Sequence, residues 1–292
     1  SIVYTSGTTG HPKGVMLSHH NILSNTHEAL QTTTINDDDI LLSFLPLSHM
    51  LERTGCYYLP MMAGITVAYA RSILQLAEDL VIIRPTFMIS VPRIYERIYA
   101  KIQEGLDAKP PIARKLFNLA VDVGWTRFEY LQGRGRWSLS MLLWPLLNKL
   151  VASKIVEKLG GRLKTAISGG APLPPDVART FLALGVPVLQ GYGLTETSPV
   201  LAVSRIDDNI PESVGLALPS TQLKVADNGE LLAKGAAIML GFWNNQAETD
   251  RVIDQDGWFH TGDIARIDPD GHVYITGRIK DIIVLANGEK VS

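Results

Sequence analysis

Tyr4-Thr-Ser-Gly-Thr-Thr-Gly-His-Pro-Lys-Gly-Val15 decides how the rest of this chain is read. It stands between two short apolar runs, Ile2-Val3-Tyr4 and Val15-Met16-Leu17, so it reads as strand, loop and strand rather than as a loop opening a helix. Gly7, Gly10 and Gly14 remove side chains where a backbone must turn and approach a ligand closely. Thr5, Ser6, Thr8 and Thr9 supply hydroxyls, Lys13 supplies a positive charge, and no acid interrupts the loop. That combination suits phosphate oxygens. The G-x-x-x-x-G-K-[ST] loop needs Ser or Thr after its lysine, whereas Gly14 follows Lys13, so a Walker-type NTPase is disfavoured. A flexible surface turn is the plain alternative; the flanking strands and the lysine favour phosphate binding.

The 292 residues, 46% of them hydrophobic, are enough for a substantial core and two or three subdomains. With 27 Lys+Arg against 29 Asp+Glu the formal charge is -2, which implies no polyanion partner, and no nucleic acid is expected. The single cysteine, Cys56, excludes an internal disulfide and a cysteine-based zinc site and fits a reducing compartment. No uninterrupted apolar run reaches about 18 residues, the longest being 57–70 and 139–151, so no membrane span is expected. The chain lacks an initiator Met and starts inside a strand, so it is read as a piece of a longer protein.

Outward from the loop, Ser18 can cap a helix reaching about Gln31, and Asn36-Asp37-Asp38-Asp39 reads as a solvated turn. A strand over 40–45 leads into Pro46-Leu-Ser-His-Met-Leu-Glu-Arg53, where His49 is open to three readings: general base, gate residue or packed histidine. Strand 66–70, helix 74–83, strand 87–91 and a helix opening at Pro92 then alternate, which points to an α/β domain with a largely parallel sheet. Residues 105–160 carry apolar residues at helical spacing and read as a helical insertion. Its apolar content beside Arg134, Arg136, Lys149 and Lys154 suits packing on the sheet, a cover over a tunnel, or a membrane-surface helix.

The sheet resumes at 163–167 and runs into Ser168-Gly-Gly-Ala-Pro-Leu173, where two glycines after a strand end let a flat ring or a backbone approach. Beyond helix 176–184 and strand 186–190 comes Gln190-Gly-Tyr-Gly-Leu-Thr-Glu-Thr-Ser-Pro199. Tyr192, flanked by Gly191 and Gly193, can present its ring to an aromatic ligand. Thr195 can donate to a phosphate oxygen and Glu196 can hold Mg²⁺, although a Thr-Glu pair alone is commonly a helix cap. After Val200 short strands and turns predict a small β-barrel-like subdomain, with Asp263 in Trp258-Phe-His-Thr-Gly-Asp263 and Arg278 in Gly277-Arg-Ile-Lys-Asp-Ile-Ile283. Taken alone, Asp263 reads as a cap and Arg278 as a surface ion pair.

The glycine loop, Leu45-Pro-Leu-Ser-His-Met50, Gly-Tyr-Gly-Leu-Thr-Glu, Trp-Phe-His-Thr-Gly-Asp and Gly-Arg-Ile-Lys-Asp together resemble the signature motifs of the adenylate-forming enzymes. That superfamily comprises acyl-CoA synthetases, luciferases and peptide-synthetase adenylation domains. A helical insert after Val91-Pro-Arg-Ile-Tyr-Glu-Arg97 is similar to the long-chain fatty acyl-CoA synthetase branch. The resemblance implies an α/β fold of largely parallel sheets flanked by helices, with a helical insertion and a small C-terminal β-barrel-like subdomain. It divides the chain into a phosphate-loop subdomain at 1–84, a second α/β subdomain at 85–199 and a β-rich subdomain at 200–278. Residues 279–292 become the hinge into a C-terminal domain, with Lys280 at the pivot.

The same resemblance implies ATP-dependent activation of a long-chain fatty acid to acyl-adenylate and then acyl-CoA, with Mg²⁺, and with ATP and coenzyme A as co-substrates. Lys13, His49, Thr195 and Glu196 become the catalytic set, Glu196 holding the metal. Thr5, Ser6, Gly7, Thr8, Thr9 and Gly10 embrace phosphate, while Gly169, Gly170, Ala171, Gln190, Gly191, Tyr192 and Gly193 line adenine and acyl chain. Asp263 and Arg278 hold the ribose and phosphate. Arg53 stands where some fatty-acid enzymes carry a gating aromatic. A cytoplasmic enzyme with peripheral contact at the inner membrane is expected. An adenylating enzyme for aryl or amino acids, and a non-catalytic nucleotide- or acyl-binding module, are the alternatives.

Overall fold

The computed structural model describes residues 1–5 and 12–279, together with the backbone of 283–284 and 290–291. The loop core Ser6, Gly7, Thr8, Thr9 and Gly10, and the expected hinge residue Lys280, lie outside the described residues. What stands on either side of the loop is as its flanks dictate. Strands β1 (Ile2–Thr5) and β2 (Lys13–Met16) pair antiparallel with Val3 opposite Val15. Ser18 then starts α1 (His19–Leu30) with a reciprocal cap: the Asn21 amide donates to Ser18 Oγ at 3.0 Å and the Ser18 amide donates to Asn21 Oδ1 at 2.8 Å.

Strand β3 (Ile40–Ser43) stops two residues short of the expected end. The reason is Glu52, whose Oε1 accepts from Ser43 Oγ at 2.6 Å and from the amides of Phe44 and Leu45 at 3.1 and 3.3 Å. Those amides are therefore lost to the sheet. Glu52 belongs to α2 (Met50–Arg53), which continues through a π-turn at Thr54–Tyr58 into α3 (Leu59–Ala63). The acidic turn is also less solvated than expected: Asp39 is buried and accepts from Lys164 Nζ at 2.7 Å.

Next come β4 (Thr66–Tyr69), α4 (Leu76–Ile83), β5 (Phe87–Ser90), α5 (Pro92–Asp107) and α6 (Pro111–Leu131). A continuous helical run, Leu139–Lys158, follows, built from a 3-10 turn, α7 (Trp144–Leu147), a π-turn and α8 (Ser153–Lys158). The chain then forms β6 (Thr165–Ser168), α9 (Pro175–Ala183), β7 (Val188–Gly193), β8 (Val200–Val203) and β9 (Leu216–Ala217). Seven of these strands make one sheet in the order β4-β3-β5-β6-β7-β8-β9, parallel from β4 to β7 and antiparallel beyond.

Strand β5 is buried along its length, as a strand covered on both faces must be. Met88 packs with Tyr95, Phe181 and Val177 under α5 and α9, whereas Phe87 and Ile89 pack with Leu41 and Cys56 beneath the π-turn. Because Leu41 opposes Phe87 in parallel register, the expected boundary at 84/85 runs through this sheet, and no subdomain divides there. The insertion stands beside it: Phe117, Ala120 and Val123 of α6 meet Leu147, Ala152 and Leu184. Gly124 makes that contact possible, since a Cβ there would lie 2.1 Å from the Ala183 carbonyl oxygen.

The last part adds β10 (Gln222–Val225), β11 (Glu230–Lys234), β12 (Gly241–Phe242), α10 (Gln246–Val252), β13 (Phe259–Ile267) and β14 (Val273–Arg278). Four of them form an antiparallel sheet, β10-β11-β13-β14, in the region expected to be β-rich. Strand β12 instead returns to pair with β2, placing α10 next to Lys13. Backbone strands β15 (Ile283–Val284) and β16 (Lys290–Val291) pair antiparallel.

Candidate active site

One cavity of about 660 Å³ lies where the carboxyl ends of β6 and β7 face β2 and the β13–β14 hairpin. Open α/β sheets bind ligands at strand carboxyl ends. Thr5, Lys13, Tyr192, Thr195, Glu196 and Arg278 all line it, so residues up to 273 positions apart in the chain share one wall. His49, Gly170, Gly191 and Gly193 line it as well. An apolar part of the lining comes from Leu51, Leu59, Phe87, Ile89, Ile167 and Val203, with Ala29 of α1. A polar end suited to anions is thereby joined to a greasy one.

Tyr192 is presented by the geometry of β7 and β8. Tyr192 pairs with Ala202, the register shifts at Gly193, and a Cβ on Gly193 would sit 1.8 Å from the Pro199 carbonyl oxygen. Only glycine fits that turn. Tyr192 Oη donates to Asp263 Oδ2 at 2.6 Å, and Arg278 Nε donates to Asp263 Oδ1 at 2.8 Å. Burial, together with the Asp263 carboxylate, pushes the Tyr192 phenol well above its usual range, so it remains a donor. Asp263 is buried immediately behind the wall, cross-strand from Arg278. Both its oxygens are engaged, so a grip on sugar hydroxyls requires it to exchange these partners.

Thr195 and Glu196 sit on a 3-10 turn, Thr195–Thr197, directly after β7. The Glu196 carbonyl accepts from the Met239 amide at 2.9 Å, which fixes the backbone and leaves the side chain to the cavity. Burial raises the Glu196 carboxyl above the usual range, against the lowering fields of Lys13 and Arg278. Among the described residues no group of three or more His, Cys, Asp or Glu side chains is placed to hold a metal ion. A single carboxylate without a protein cage is the donor set that suits Mg²⁺ shared with substrate phosphates. Glu196 fits that role.

Lys13 does not stand free. Its Nζ pairs with Glu248 on α10, which also pairs with Arg251, and it lies 5.2 Å from the Phe242 ring centroid. The Lys13 ammonium holds the Glu248 carboxyl below its usual range. His49 caps α2, its Nδ1 accepting from the Leu51 amide at 3.3 Å, and is exposed to the cavity. Arg53, in the place considered for a gating aromatic, instead donates through Nε to the Leu47 carbonyl at 2.9 Å.

Three expected site residues are placed differently. The Gln190 side chain is committed to structure: Nε2 donates to the Pro211 carbonyl and Oε1 accepts from the Leu173 amide at 3.2 Å. It is buried below the site and no donor is left over for a ligand. Gly169 is buried, where an added Cβ would lie 3.2 Å from the Leu51 side chain and 3.4 Å from the Gly191 carbonyl oxygen, and Ala171 is exposed; neither is part of the cavity wall. Conversely, Glu230 and His260 line the cavity without having been singled out. Glu230 Oε2 lies 2.9 Å from His260 Nδ1 and Oε1 accepts from the Gly262 amide at 3.0 Å, so this carboxylate pins the turn that carries Asp263. His260 was visible within Trp258-Phe-His-Thr-Gly-Asp263; Glu230 carried no local signal.

Comparison with known proteins agrees with this geometry. The AMP-binding enzyme family matches residues 1–243. The long-chain-fatty-acid–CoA ligase FadD15 of Mycobacterium bovis is 35% identical over 297 residues, covering 100% of this chain and 48% of that protein. The peroxisomal long chain acyl-CoA synthetase 6 of Arabidopsis thaliana is 36% identical over 308 residues, covering 100% and 42%. The chain thus spans about half the length of the curated relatives it matches. The crystal structure of ATP-bound MatB from Rhodopseudomonas palustris superposes with a TM-score of 0.74 at 27% identity, over 99% of this chain and 50% of that one. With its family matched over most of its length and Lys13, Tyr192, Thr195, Glu196 and Arg278 of its motifs lining one cavity, the chain belongs to the AMP-binding enzyme family.

Proposed function

We propose that this chain forms the nucleotide- and acyl-binding body of an ATP-dependent long-chain fatty acid:CoA ligase. The observation that carries the reading is the single cavity in which Lys13, Tyr192, Thr195, Glu196 and Arg278 meet a wall of Leu51, Leu59, Phe87, Ile89 and Val203. A triphosphate suits the first group and a hydrocarbon chain the second. The full-length relatives named above as long-chain fatty-acid ligases support the same substrate class.

In the proposed reaction a carboxylate oxygen attacks the α-phosphorus of ATP, the bond from that phosphorus to the bridging oxygen breaks, and pyrophosphate leaves with the electron pair. The thiol of coenzyme A then attacks the acyl carbon, AMP leaves, and a thioester remains. Mg²⁺, when bound, neutralises phosphate charge. The side chains work by placement and electrostatics, since two anions must be brought together and charge on the phosphoryl oxygens stabilised. Tyr192, Asp263 and Arg278 orient the adenosine; Lys13 and Thr195 face the phosphates; Glu196 holds the metal; His49 stands at the junction with the acyl chain. The apolar lining excludes water from the acyl-adenylate. A cytoplasmic site of action is part of this proposal.

The test is pyrophosphate release by the full-length protein with acids of graded length and with aryl and amino acids. Release that rises with chain length is expected. Release with aryl or amino acids alone would replace the fatty acid by another carboxylate, and no release with any acid would reject adenylation.

A further inference from the structure

At the phosphate end of the cavity Lys13 has a neighbour that no sequence motif named. Helix α10 is fastened to the strand that carries this lysine. Phe242 of β12 lies opposite Val15 of β2, and the Trp243 amide donates to the Gly14 carbonyl at 2.7 Å. From the helix, Thr249 Oγ1 accepts from the Phe242 amide at 2.9 Å and donates to the Asn245 carbonyl at 3.0 Å, while Asn245 Oδ1 caps the first turn by accepting from the Glu248 amide at 3.2 Å. The place of α10 beside Lys13 is thereby set by backbone. Glu248 and Arg251, three residues apart, share one face of that helix.

Arg251 lines the cavity together with Lys13. One carboxylate joins the two cations: Glu248 Oε2 pairs with Lys13 Nζ and Oε1 with Arg251 Nη1. The Arg251 side chain is 73% exposed, against 17% for Lys13 and 20% for Glu248. An exposed ion pair is weak, so Arg251 can leave Glu248 at little cost and turn into the cavity. With Glu248 withdrawn, two cations face an anionic ligand. Their order along the cavity says which part of it they meet. Glu196 stands in the fields of both Lys13 and Arg278, which join the phosphate end to the nucleoside end, and Arg251 is one ion pair further on from Lys13.

We propose that Arg251 is a second phosphate-binding residue of this site: as a triphosphate enters, Glu248 yields Lys13, and Arg251 turns from the carboxylate onto the phosphates beyond the α-phosphate. This inference rests on the nucleotide reading of the cavity. Arg251 makes and breaks no covalent bond; its planar guanidinium donates several N–H groups to phosphate oxygens as pyrophosphate separates. Glu248 is the resident counter-ion that keeps the two cations together before the nucleotide arrives and reclaims them as pyrophosphate leaves.

The experiment is calorimetric titration of the full-length protein with ATP, AMP and inorganic pyrophosphate, each with Mg²⁺, for the wild type, Arg251→Gln, Glu248→Gln and the double variant. Arg251 is exposed, so Arg251→Gln should leave the melting curve unchanged. It should weaken ATP and pyrophosphate severalfold and leave AMP unchanged, in the wild type and in the Glu248→Gln background alike. Arg251→Lys should recover part of the loss, since it restores charge without the planar fork. A loss confined to proteins that keep Glu248 would overturn the proposal, because Arg251 would then merely neutralise that carboxylate. Equal losses for ATP and AMP would overturn it too, as would unchanged affinity for all three ligands. Each of these results leaves ATP binding by the wild type in place; absence of that binding would overturn the nucleotide reading and this inference with it.

Discussion

Lys13 and Glu248, 235 positions apart in the chain, form an ion pair at the edge of the cavity, and Arg251 shares the same carboxylate. A lysine expected to face phosphate is thus held by a carboxylate of its own protein. A triphosphate has to compete for that ammonium. Replacing Glu248 by Gln keeps the shape and removes the competitor, so ATP should bind severalfold more tightly and pyrophosphate should leave more slowly. Calorimetric titration gives the first and rapid-quench kinetics the second; unchanged affinity would show that Lys13 does not reach the phosphates.

In the same way the Tyr192 hydroxyl occupies an Asp263 oxygen that a sugar hydroxyl would have to share. In Tyr192→Phe the ring in the cavity wall stays, while Asp263 loses the 2.6 Å hydrogen bond from the phenol. Nucleotide affinity should be retained or improved and the melting temperature should fall, because a hydrogen bond to a charged group contributes about 1.5–3 kcal/mol. Loss of nucleotide binding in this variant would instead assign the hydroxyl a direct contact.

Glu196 gives a pH-dependent signature. Its folded-state pKa is raised by burial, so the stability associated with it is fully present below the unfolded carboxylate value and is lost as pH rises through the raised one. Glu196→Gln should therefore melt higher than the wild type at neutral pH, by about 1–3 °C, and the difference should vanish toward pH 4. The same variant should lose metal-dependent adenylation. Equal melting temperatures across the pH range would contradict the burial effect.

Glu52 is fully buried and ends β3 by accepting three hydrogen bonds through Oε1. Glu52→Ala leaves those donors unpaired and should destabilise the fold by about 3 kcal/mol, whereas Glu52→Gln keeps an acceptor and should cost about 1 kcal/mol. Urea unfolding monitored by circular dichroism measures both. Because His49 and Leu51 precede Glu52 on the same segment, the Ala variant should also weaken fatty acid binding.

Much of the fold could be read from local pattern. Ser18 announced α1, Pro92 announced α5, and the alternation from 66 to 91 announced a parallel sheet. Strand ends were less legible where a distant side chain captured the backbone, as Glu52 does at Phe44 and Leu45. The residues nominated in advance that stand in the cavity wall, Tyr192, Thr195, Glu196 and Arg278, and Asp263 behind it, lie in short motifs of glycine, hydroxyl and charge. Those missed, Glu248 and Glu230, act only through contacts across the chain. Gln190 lay inside a motif, yet its amide is turned away toward Pro211. The apolar run 139–151 was legible as part of a helical insertion, but its continuation as one helical run to Lys158 was not, because Ser153, Lys154, Glu157 and Lys158 break the apolar letters.

The measurement closest to the central claim is calorimetric titration of ATP with Mg²⁺ into the wild-type protein, Lys13→Ala and Asp263→Asn. A single binding site in the wild type, weakened at least about tenfold by either substitution, is the predicted result, a change of about 1.4 kcal/mol or more. Absence of heat at millimolar ATP (on the order of the weakest binding of interest), or equal affinity in all three proteins, would contradict a nucleotide held between β2 and β13.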